Sequence, residues 1–297
     1  MAGASGGALA AAISAAGGLG MIGAGNAVTP DWILEQGRIA AEGGKPYGVG
    51  LMAWALAERP GQLEAVLELK PALVAVSFGD YPQYVEPLKQ AGIAVATQAG
   101  KLADAREAVA AGVDVLVARG GEGGGHGRNE VATLPLLQAV LDEVDVPVLA
   151  AGGISGARGM AAVLAAGAAG AWIGTAFLTC REAINSASAR QQFVAADETS
   201  TAYGRVFDKA SRAGWPDEFG GRALRNTFFE EWEGREAELG GDDAAHELFL
   251  AAMRAGDVDT TSLYAGQGVG ALRSETTAAE VVRSFEGTED LLRRALR

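Results

Sequence analysis

The sequence of 297 residues has a single cysteine, Cys180, and only two histidines, His126 and His246. One cysteine cannot form an internal disulfide and offers no Cys-x-x-Cys pair, so we expect a reducing compartment, the cytoplasm. The two histidines lie about 120 residues apart and make no cluster of metal ligands with the cysteine. The sequence therefore predicts no metal site. His246 lies in an amphipathic helical segment and is interpreted as a surface or capping residue.

Positive charge and membrane signals are also scarce. The 24 Lys and Arg residues face 37 Asp and Glu, a net charge of −13, which argues against a nucleic-acid partner because such binding depends on cations that neutralise phosphates. The apolar N-terminal segment has no Lys or Arg before it and does not predict a signal peptide. Residues 146–178, the most apolar region, are interrupted by Arg158 and several glycines, so we expect no membrane span.

Glycine is abundant, with 43 residues, and one phrase repeats through residues 1–180. A short β-branched run is followed by a Gly or polar loop, an amphipathic Ala-rich segment and an Ala-Gly pair. This alternation is typical of parallel strands covered by helices. The predicted strands are residues 20–24, 47–52, 73–78, 94–98, 115–119, 146–151 and 171–174.

A short strand at the very start would bring the total to roughly eight, the number that a closed (β/α)8 barrel needs. Helix boundaries support the alternation, since Thr29 precedes Pro30 at one predicted start and the pair Ala111-Gly112 marks a predicted end. The fold class predicted is therefore an α/β TIM barrel. A doubly wound open sheet is the alternative, because local patterns do not reveal closure.

The character of the sequence changes after about residue 185, where charge rises and β-branched runs disappear. Aromatic residues, among them Trp215 and Phe219, are scattered among Arg and Glu. We interpret residues 186–274 as a helical appendage on the substrate side of the barrel. Residues 1–185 then form the barrel, and residues 275–297 form a final helix that packs back on it.

A GxGxxG pattern at residues 18–23 resembles a dinucleotide-binding fingerprint. In such a unit the glycines follow a strand and begin a helix. Here a predicted helix precedes the glycines and a strand lies among them. The pattern therefore does not predict a Rossmann site, and GxSxG and Walker A patterns are absent from the sequence.

The glycine-rich segment 120–128 follows the predicted strand 115–119 and contains His126. It would lie on the carboxyl rim, where barrel active sites are built. Glycines allow close approach of a flat or anionic ligand, and a histidine among them can exchange protons near neutral pH. The alternative is a flexible loop with an exposed histidine, but ordering so many glycines costs entropy that a ligand or tight packing must offset. We therefore favour a functional loop.

Two late strands also end in glycine-rich turns. Residues 150–155 contain Gly152 and Gly153, and residues 172–175 end in Gly174 and Thr175. Backbone N–H groups and a helix N-terminus at such turns form the usual phosphate site of a barrel. Two ordinary tight turns are the alternative, and the pattern does not identify the ligand that carries the phosphate.

These residues together resemble a known family. The segment 111–126, the Pro-Val-Leu-Ala-Ala-Gly-Gly-Ile phrase at 147–154 and the Gly-Ala-Trp-Ile-Gly-Thr phrase at 170–175 are similar to nitronate monooxygenases, formerly called 2-nitropropane dioxygenases. The likeness continues through residues 11–20, 221–226 and 265–268. It covers nearly the whole chain.

The resemblance implies FMN as cofactor and His126 as the catalytic residue, either as base toward a nitroalkane or as hydrogen-bond partner of a nitronate. It implies a small-molecule substrate, consumption of O2, and a carbonyl compound and nitrite as products. A homo-oligomer is compatible with it. The implied cofactor-binding residues include those of the phosphate site and those near the flavin ring: Met21, Gln98, Arg119, Gly124, Gly152, Gly153, Trp172, Ile173, Gly174 and Thr175.

This sequence departs from the family pattern in three places. Gly50 stands where many members have Asn, which removes a side-chain contact to the flavin. Arg119 stands where Gln is common; it could attract an anionic flavin or nitronate, or pair with Glu122 without a catalytic role. Family members also carry several residues that complete a first strand before the position of Met1.

Three alternative functions remain open from the sequence. An NAD(P)H-dependent flavin reductase of the enoyl-(acyl-carrier-protein) or quinone type would share the glycine motifs, although the net charge of −13 disfavours an acidic carrier protein. A non-catalytic flavin-binding protein on the same scaffold is the second. A phosphosugar isomerase or synthase barrel, which would be colourless, is the third.

Overall fold

The computed structural model describes residues 1–295. Its centre is a curled sheet of seven parallel strands in the order β1-β2-β3-β4-β5-β7-β8. The strand order follows the chain without reversal, so the doubly wound alternative is wrong and the fold is of the α/β-barrel class. The seven strands are β1 (Gly20–Gly23), β2 (Tyr47–Met52), β3 (Leu73–Ser77), β4 (Ala94–Ala99), β5 (Val115–Arg119), β7 (Val148–Ala151) and β8 (Gly170–Ala171).

Helices cover the outside of this sheet and follow the strands along the chain. Thr29 caps helix α2 (Pro30–Ala41) as predicted, since its hydroxyl oxygen accepts the N–H of Trp32 at 3.2 Å. Gly112, with φ +81°, ends α6 in a conformation that favours glycine. The helices are α1 (Gly7–Ala15), α2 (Pro30–Ala41), α3 (Ala53–Leu56), α4 (Gly61–Leu69), α5 (Pro82–Gln90), α6 (Leu102–Ala110), α7 (Thr133–Leu141) and α8 (Ala157–Ala165).

Alternate residues of the strands face two different cores. Val74 of β3 and Val95 of β4 are fully buried against the helices. Ala75 and Ala96 point into the barrel, where they pack with Leu73 and with the partly buried Met21 and Trp172. Barrel-facing and helix-facing side chains thus alternate along each strand, as its period of two requires.

The predicted eighth strand at the start of the chain is wrong. Residues 1–6 form a turn, and β1 and β8 are not paired with each other within residues 1–295. The opening segment runs beside β1 instead: the carbonyl of Ser5 accepts the N–H of Gly23 at 2.9 Å, and the Ser5 hydroxyl donates to the Met21 carbonyl at 2.6 Å. Met1 lies between the ends of β1 and β8, next to Gly23 and Gly174.

The appendage is not purely helical, contrary to the prediction. Its strand β10 pairs antiparallel with β9 on one side and, on the other, with β6, a short strand in the glycine-rich loop, giving the order β6-β10-β9. These strands are β6 (Gly125–Gly127), β9 (Thr201–Gly204) and β10 (Gly220–Leu224), and the helices are α9 (Ala187–Ala195), α10 (Val206–Ser211), α11 (Thr227–Trp232), α12 (Glu236–Gly241) and α13 (Asp243–Ala255). Glycine-rich strands such as Gly220–Leu224 lack the β-branched signal that sequence analysis relied on.

The appendage has its own hydrophobic core, in which Phe207, Phe229 and Phe249 are buried. After it, two short helices rather than one return to the barrel: α14 (Ala278–Arg283) packs on α1, and α15 (Thr288–Ala295) packs on α8. Residues 296 and 297, which the prediction included in this helix, lie outside the described residues. No helix within residues 1–295 combines the length and the apolar character needed to cross a bilayer.

Candidate active site

The glycine-rich loop at the end of β5 is held by Arg119. This guanidinium is 5% exposed and donates to the carbonyl oxygens of Gly123 at 2.7 Å and Gly125 at 2.9 Å, with longer contacts of 3.2 Å to those of Gly124 and Arg128. Burial lowers the pKa of Arg119 to about 10, which still leaves it charged at neutral pH. Its role in the structure is to fix the loop, a role that a lysine without a planar fork could not fill.

A second arginine holds the same loop from the appendage side. Arg222 of β10 donates from Nε to the Gly121 carbonyl at 2.8 Å and from a terminal nitrogen to the Asn129 side-chain oxygen at 2.9 Å. Burial lowers the pKa of Arg222 as well. Two buried guanidiniums therefore satisfy the carbonyl groups of a loop that would otherwise be disordered.

Glu122 connects this loop to the neighbouring strand end. Its carboxylate accepts the backbone N–H of Thr133 at 3.0 Å and lies 2.8 Å from the Thr133 hydroxyl. Thr133 begins α7, where an acidic group also favours the helix dipole. The hydroxyl is 3.2 Å from the Gly152 carbonyl. The ion pair between Arg119 and Glu122 that the sequence left open is not formed: Arg119 binds carbonyl groups of the loop, and Glu122 binds Thr133.

His126 lies in β6 and is tied to the appendage. Its Nε2 is 2.7 Å from an Asp208 carboxylate oxygen, and the two side chains are only 8% and 5% exposed. The Trp215 indole stacks on the imidazole with ring centroids 3.6 Å apart and planes 4° from parallel. Tyr264 lies beside the same ring, at 5.1 Å, and burial raises the pKa of its hydroxyl.

An aromatic wall continues from Trp215 across the mouth of the barrel. Phe78 directly follows β3 with φ +69°, a left-handed conformation that is strained for a bulky residue. Its ring meets Trp215 and Phe219 edge-on, each at 5.3 Å. Phe78 and Phe219, together with Gln98 and Arg119, line a cavity of about 170 Å³ at the mouth.

The predicted phosphate site is a cradle of glycines at the ends of β7 and β8. Gly153 has φ +67°. The space beside it is nearly empty, because a β-carbon built there would have only the Glu122 side chain within 4 Å, at 3.9 Å. Within residues 1–295 the N–H groups of Gly153, Gly174 and Thr175 donate to no protein acceptor. The N-terminus of α8 points at the same place. Free amides around a half-exposed gap fit a phosphate monoester.

The appendage closes one side of this cradle with residues 265–268. The N–H of Gly266 donates to the Thr175 hydroxyl oxygen at 2.9 Å, and the Ser155 hydroxyl donates to the Gly268 carbonyl at 3.1 Å. A β-carbon on Gly266 would lie 2.5 Å from the Glu122 carbonyl oxygen, and one on Gly124 would overlap the Gly266 nitrogen. Only glycine allows these two backbones to approach each other.

The structure places the remaining predicted site residues below or behind the rim. Met21 and Trp172 point into the barrel interior, and a β-carbon on Gly48 would overlap the Met21 sulfur. Ile173 packs against the helices of the outer layer, so only its backbone faces the rim. The methionine next to the cradle is Met1, whose sulfur would lie 3.3 Å from a β-carbon on Gly174.

Sequence analysis missed the side chains that surround His126. Asp208, Trp215, Arg222 and Tyr264 all come from the appendage, 82 to 138 positions after His126 in the chain. Trp215 was noticed for the aromatic composition of its segment, but no local pattern showed which barrel residue it meets. The pairing of β10 with β6 brings them together, with Gly221 opposite His126.

The strand order and the glycine-lined carboxyl rim define a ligand-binding α/β barrel. The sequence profile of the family described as nitronate monooxygenase matches residues 52–286. The nitronate monooxygenase npaC of Metarhizium robertsii is 32% identical over 93% of this chain and 85% of its own length. The chain therefore belongs to the nitronate monooxygenase family, whose members are oxidoreductases.

Solved structures agree with this assignment. FabK from Thermotoga maritima superposes with a TM-score of 0.86 at 30% identity, covering 99% of this chain and 93% of that one. A nitroalkane oxidase from Streptomyces ansochromogenes has a TM-score of 0.84 at 30% identity and covers 100% and 96%. Two other curated relatives, 36% and 41% identical, are matched over only 46% and 41% of their own lengths.

Proposed function

We propose that this chain binds FMN at the carboxyl rim and oxidises alkyl nitronates or nitroalkanes with O2, giving a carbonyl compound and nitrite. The observation that carries the proposal is the family match over residues 52–286, because that span contains both the glycine cradle and His126. FMN supplies the redox chemistry when it is bound. The chain's own residues bind it, exclude water and handle the substrate.

The cradle fits the cofactor phosphate. The unpaired N–H groups of Gly153, Gly174 and Thr175 would donate to it, and the N-terminus of α8 adds a favourable dipole. Gln98 and the loop around Gly124 lie where the ring would rest, since Gln98 lines the cavity at the mouth. Arg119 lines the same cavity and also holds the loop carbonyls.

His126 is the residue we propose to act on the substrate, by accepting a proton or by donating a hydrogen bond to the nitro group. Only 8% of its side chain is exposed while Trp215 covers one face. Access of a substrate therefore requires the indole to move. We also propose the division into a flavin-binding barrel, residues 1–185 with 275–297, and a substrate-side appendage, residues 186–274.

The test begins with the visible spectrum of the purified protein and continues with ethyl nitronate under air. We expect bound flavin, O2 consumption and nitrite release. His126→Ala should lower turnover by roughly 100-fold or more, the usual contribution of a proton-transfer group, while retaining the flavin. His246→Ala, which removes the other histidine, is the matched control and should turn over normally.

A flavin reductase is the second candidate. The likeness to FabK, with a TM-score of 0.86, favours it. Anaerobic NAD(P)H should bleach the flavin of a reductase, whereas the proposed oxidase should resist bleaching and release nitrite in air. A protein that cannot be loaded with flavin would contradict both candidates. Unchanged turnover of His126→Ala would contradict the proposed role of that residue alone.

A further inference from the structure

The contact between His126 and Asp208 determines which imidazole nitrogen carries a proton. A carboxylate only accepts hydrogen bonds, so the 2.7 Å contact requires a proton on Nε2 of His126. Nδ1 has no hydrogen-bond partner within residues 1–295. A neutral His126 in this geometry therefore has its lone pair on Nδ1.

The surroundings keep the ring in this orientation. Trp215 lies parallel to it at 3.6 Å and Tyr264 flanks it at 5.1 Å. These contacts hold the plane of the ring, and the bond to Asp208 selects which edge faces the carboxylate. The remaining oxygen of Asp208, Oδ2, is buried and accepts no hydrogen bond from the described residues. The imidazole is thus the one protein donor to this carboxylate in residues 1–295.

The charges around Asp208 are compatible with an ionised carboxylate. It borders a cavity of about 270 Å³ together with Arg205, Lys209 and Arg212. Arg205 and Lys209 also pair with the exposed Asp217, which lines the same cavity, and Arg212 pairs with an exposed carboxylate outside it. Nearby positive charge offsets part of the cost of burying the anion.

We propose that Asp208 is the positioning residue of the site: it fixes His126 in the Nε2–H form, so that Nδ1 is the atom that accepts the substrate proton. With a neutral nitroalkane, the C–H bond breaks, Nδ1–H forms, and the electron pair moves into the nitro group as the nitronate. Asp208 balances the charge of the imidazolium. The role of Nδ1 rests on the proposed function, whereas the tautomer does not.

His246 provides an internal comparison. Its Nδ1 lies 2.7 Å from the carbonyl oxygen of Ala210, and a carbonyl oxygen can only accept, so this ring must carry its proton on Nδ1. With only two histidines in the chain, their signals are easily separated by substitution. The structure therefore predicts opposite tautomers for the two rings.

The experiment is nitrogen NMR of the full-length protein labelled with ¹⁵N-histidine, under mildly alkaline conditions, with and without FMN. Long-range proton–nitrogen correlations identify the protonated nitrogen of each ring, and His246→Gln assigns the spectrum. We expect Nε2–H for His126 and Nδ1–H for His246. An Nδ1–H tautomer at His126 would overturn the proposal, and this result requires no variant at Asp208.

Activity then tests the positioning role. Asp208→Ala should give mixed tautomers at His126 and lower kcat/KM for a neutral nitroalkane by roughly 100-fold, with a smaller loss for a preformed nitronate, which has no proton to give. A merely structural role would lower both equally. Asp217→Asn, which removes a nearby exposed carboxylate, is the control. If nitrite is never released but the tautomers are as expected, the proposed function fails and the tautomer assignment stands.

Discussion

The barrel and the appendage contribute different kinds of groups to the site. The barrel rim offers mainly backbone: free amides at Gly153, Gly174 and Thr175, and a loop, residues 120–128, with six glycines. The appendage offers side chains, among them Asp208 and Trp215. On the proposed function, the barrel would hold the cofactor and carry His126, whereas the appendage would orient and cover that imidazole.

Polar contacts also join the two regions, beside the aromatic contacts of Phe78 with Trp215 and Phe219. Arg222 of the appendage holds carbonyl groups of the barrel loop, and the N–H of Gly266 binds the Thr175 hydroxyl. Such hydrogen bonds require correct geometry of both the donor and the acceptor, so they contribute little stability if the barrel or the appendage moves. Substitutions confined to one region can therefore reveal what that region alone contributes.

The largest effect should come from the barrel cradle. Gly153→Val places a branched side chain where the phosphate would bind and removes access to the free amides, so we expect FMN affinity to fall roughly 100-fold, the equivalent of losing one or two charge-assisted hydrogen bonds. Flavin fluorescence titration of the apoprotein measures this. Gly112→Val is the matched control: it has a similar positive φ of +81° but lies at the opposite end of the barrel. Equal FMN affinity in the two variants would show that the phosphate binds elsewhere.

A smaller loss should follow when the barrel loop is released. Arg119→Met keeps the length of the side chain but leaves four carbonyl groups without their donor, so we expect the free energy of unfolding to fall by about 2 kcal/mol. Arg106→Met is the control, because Arg106 is a largely exposed arginine that pairs with Glu143 on the barrel surface and such pairs contribute little. Urea unfolding of the apoproteins measures both. Similar midpoints would mean that the loop does not depend on Arg119.

The contrast between the barrel and the appendage also explains how much of the structure could be predicted from the sequence. Seven strands and the glycine cradle follow from local patterns, because a parallel barrel repeats one unit and places every strand end on one rim. The missing eighth strand shows the limit: the segment before α1 is apolar, but Ser5 bonds to Met21 and Gly23 without joining the ladder. Local composition did not distinguish these outcomes.

The appendage could not be predicted in the same way. The strands β9 and β10 have few β-branched residues, so period-two patterning did not reveal them. Asp208 meets His126 across 82 positions, and that contact exists only because β10 pairs with β6. The catalytic prediction rested on a glycine motif, whereas the groups that orient the imidazole depend on tertiary pairing that no motif contains.

The smallest effect should come from the aromatic cover. Trp215→Ala removes the ring stacked on His126, an interaction worth about 1 kcal/mol beyond its buried area, and admits water to the site. We expect kcat/KM for ethyl nitronate to fall roughly tenfold with FMN affinity unchanged, while Trp215→Phe, which keeps an aromatic face, should lose less. Stopped-flow kinetics and flavin titration on both variants measure this. If Trp215→Ala instead lost FMN, the indole would belong to the cofactor site, and the division of labour between barrel and appendage would be wrong at this residue.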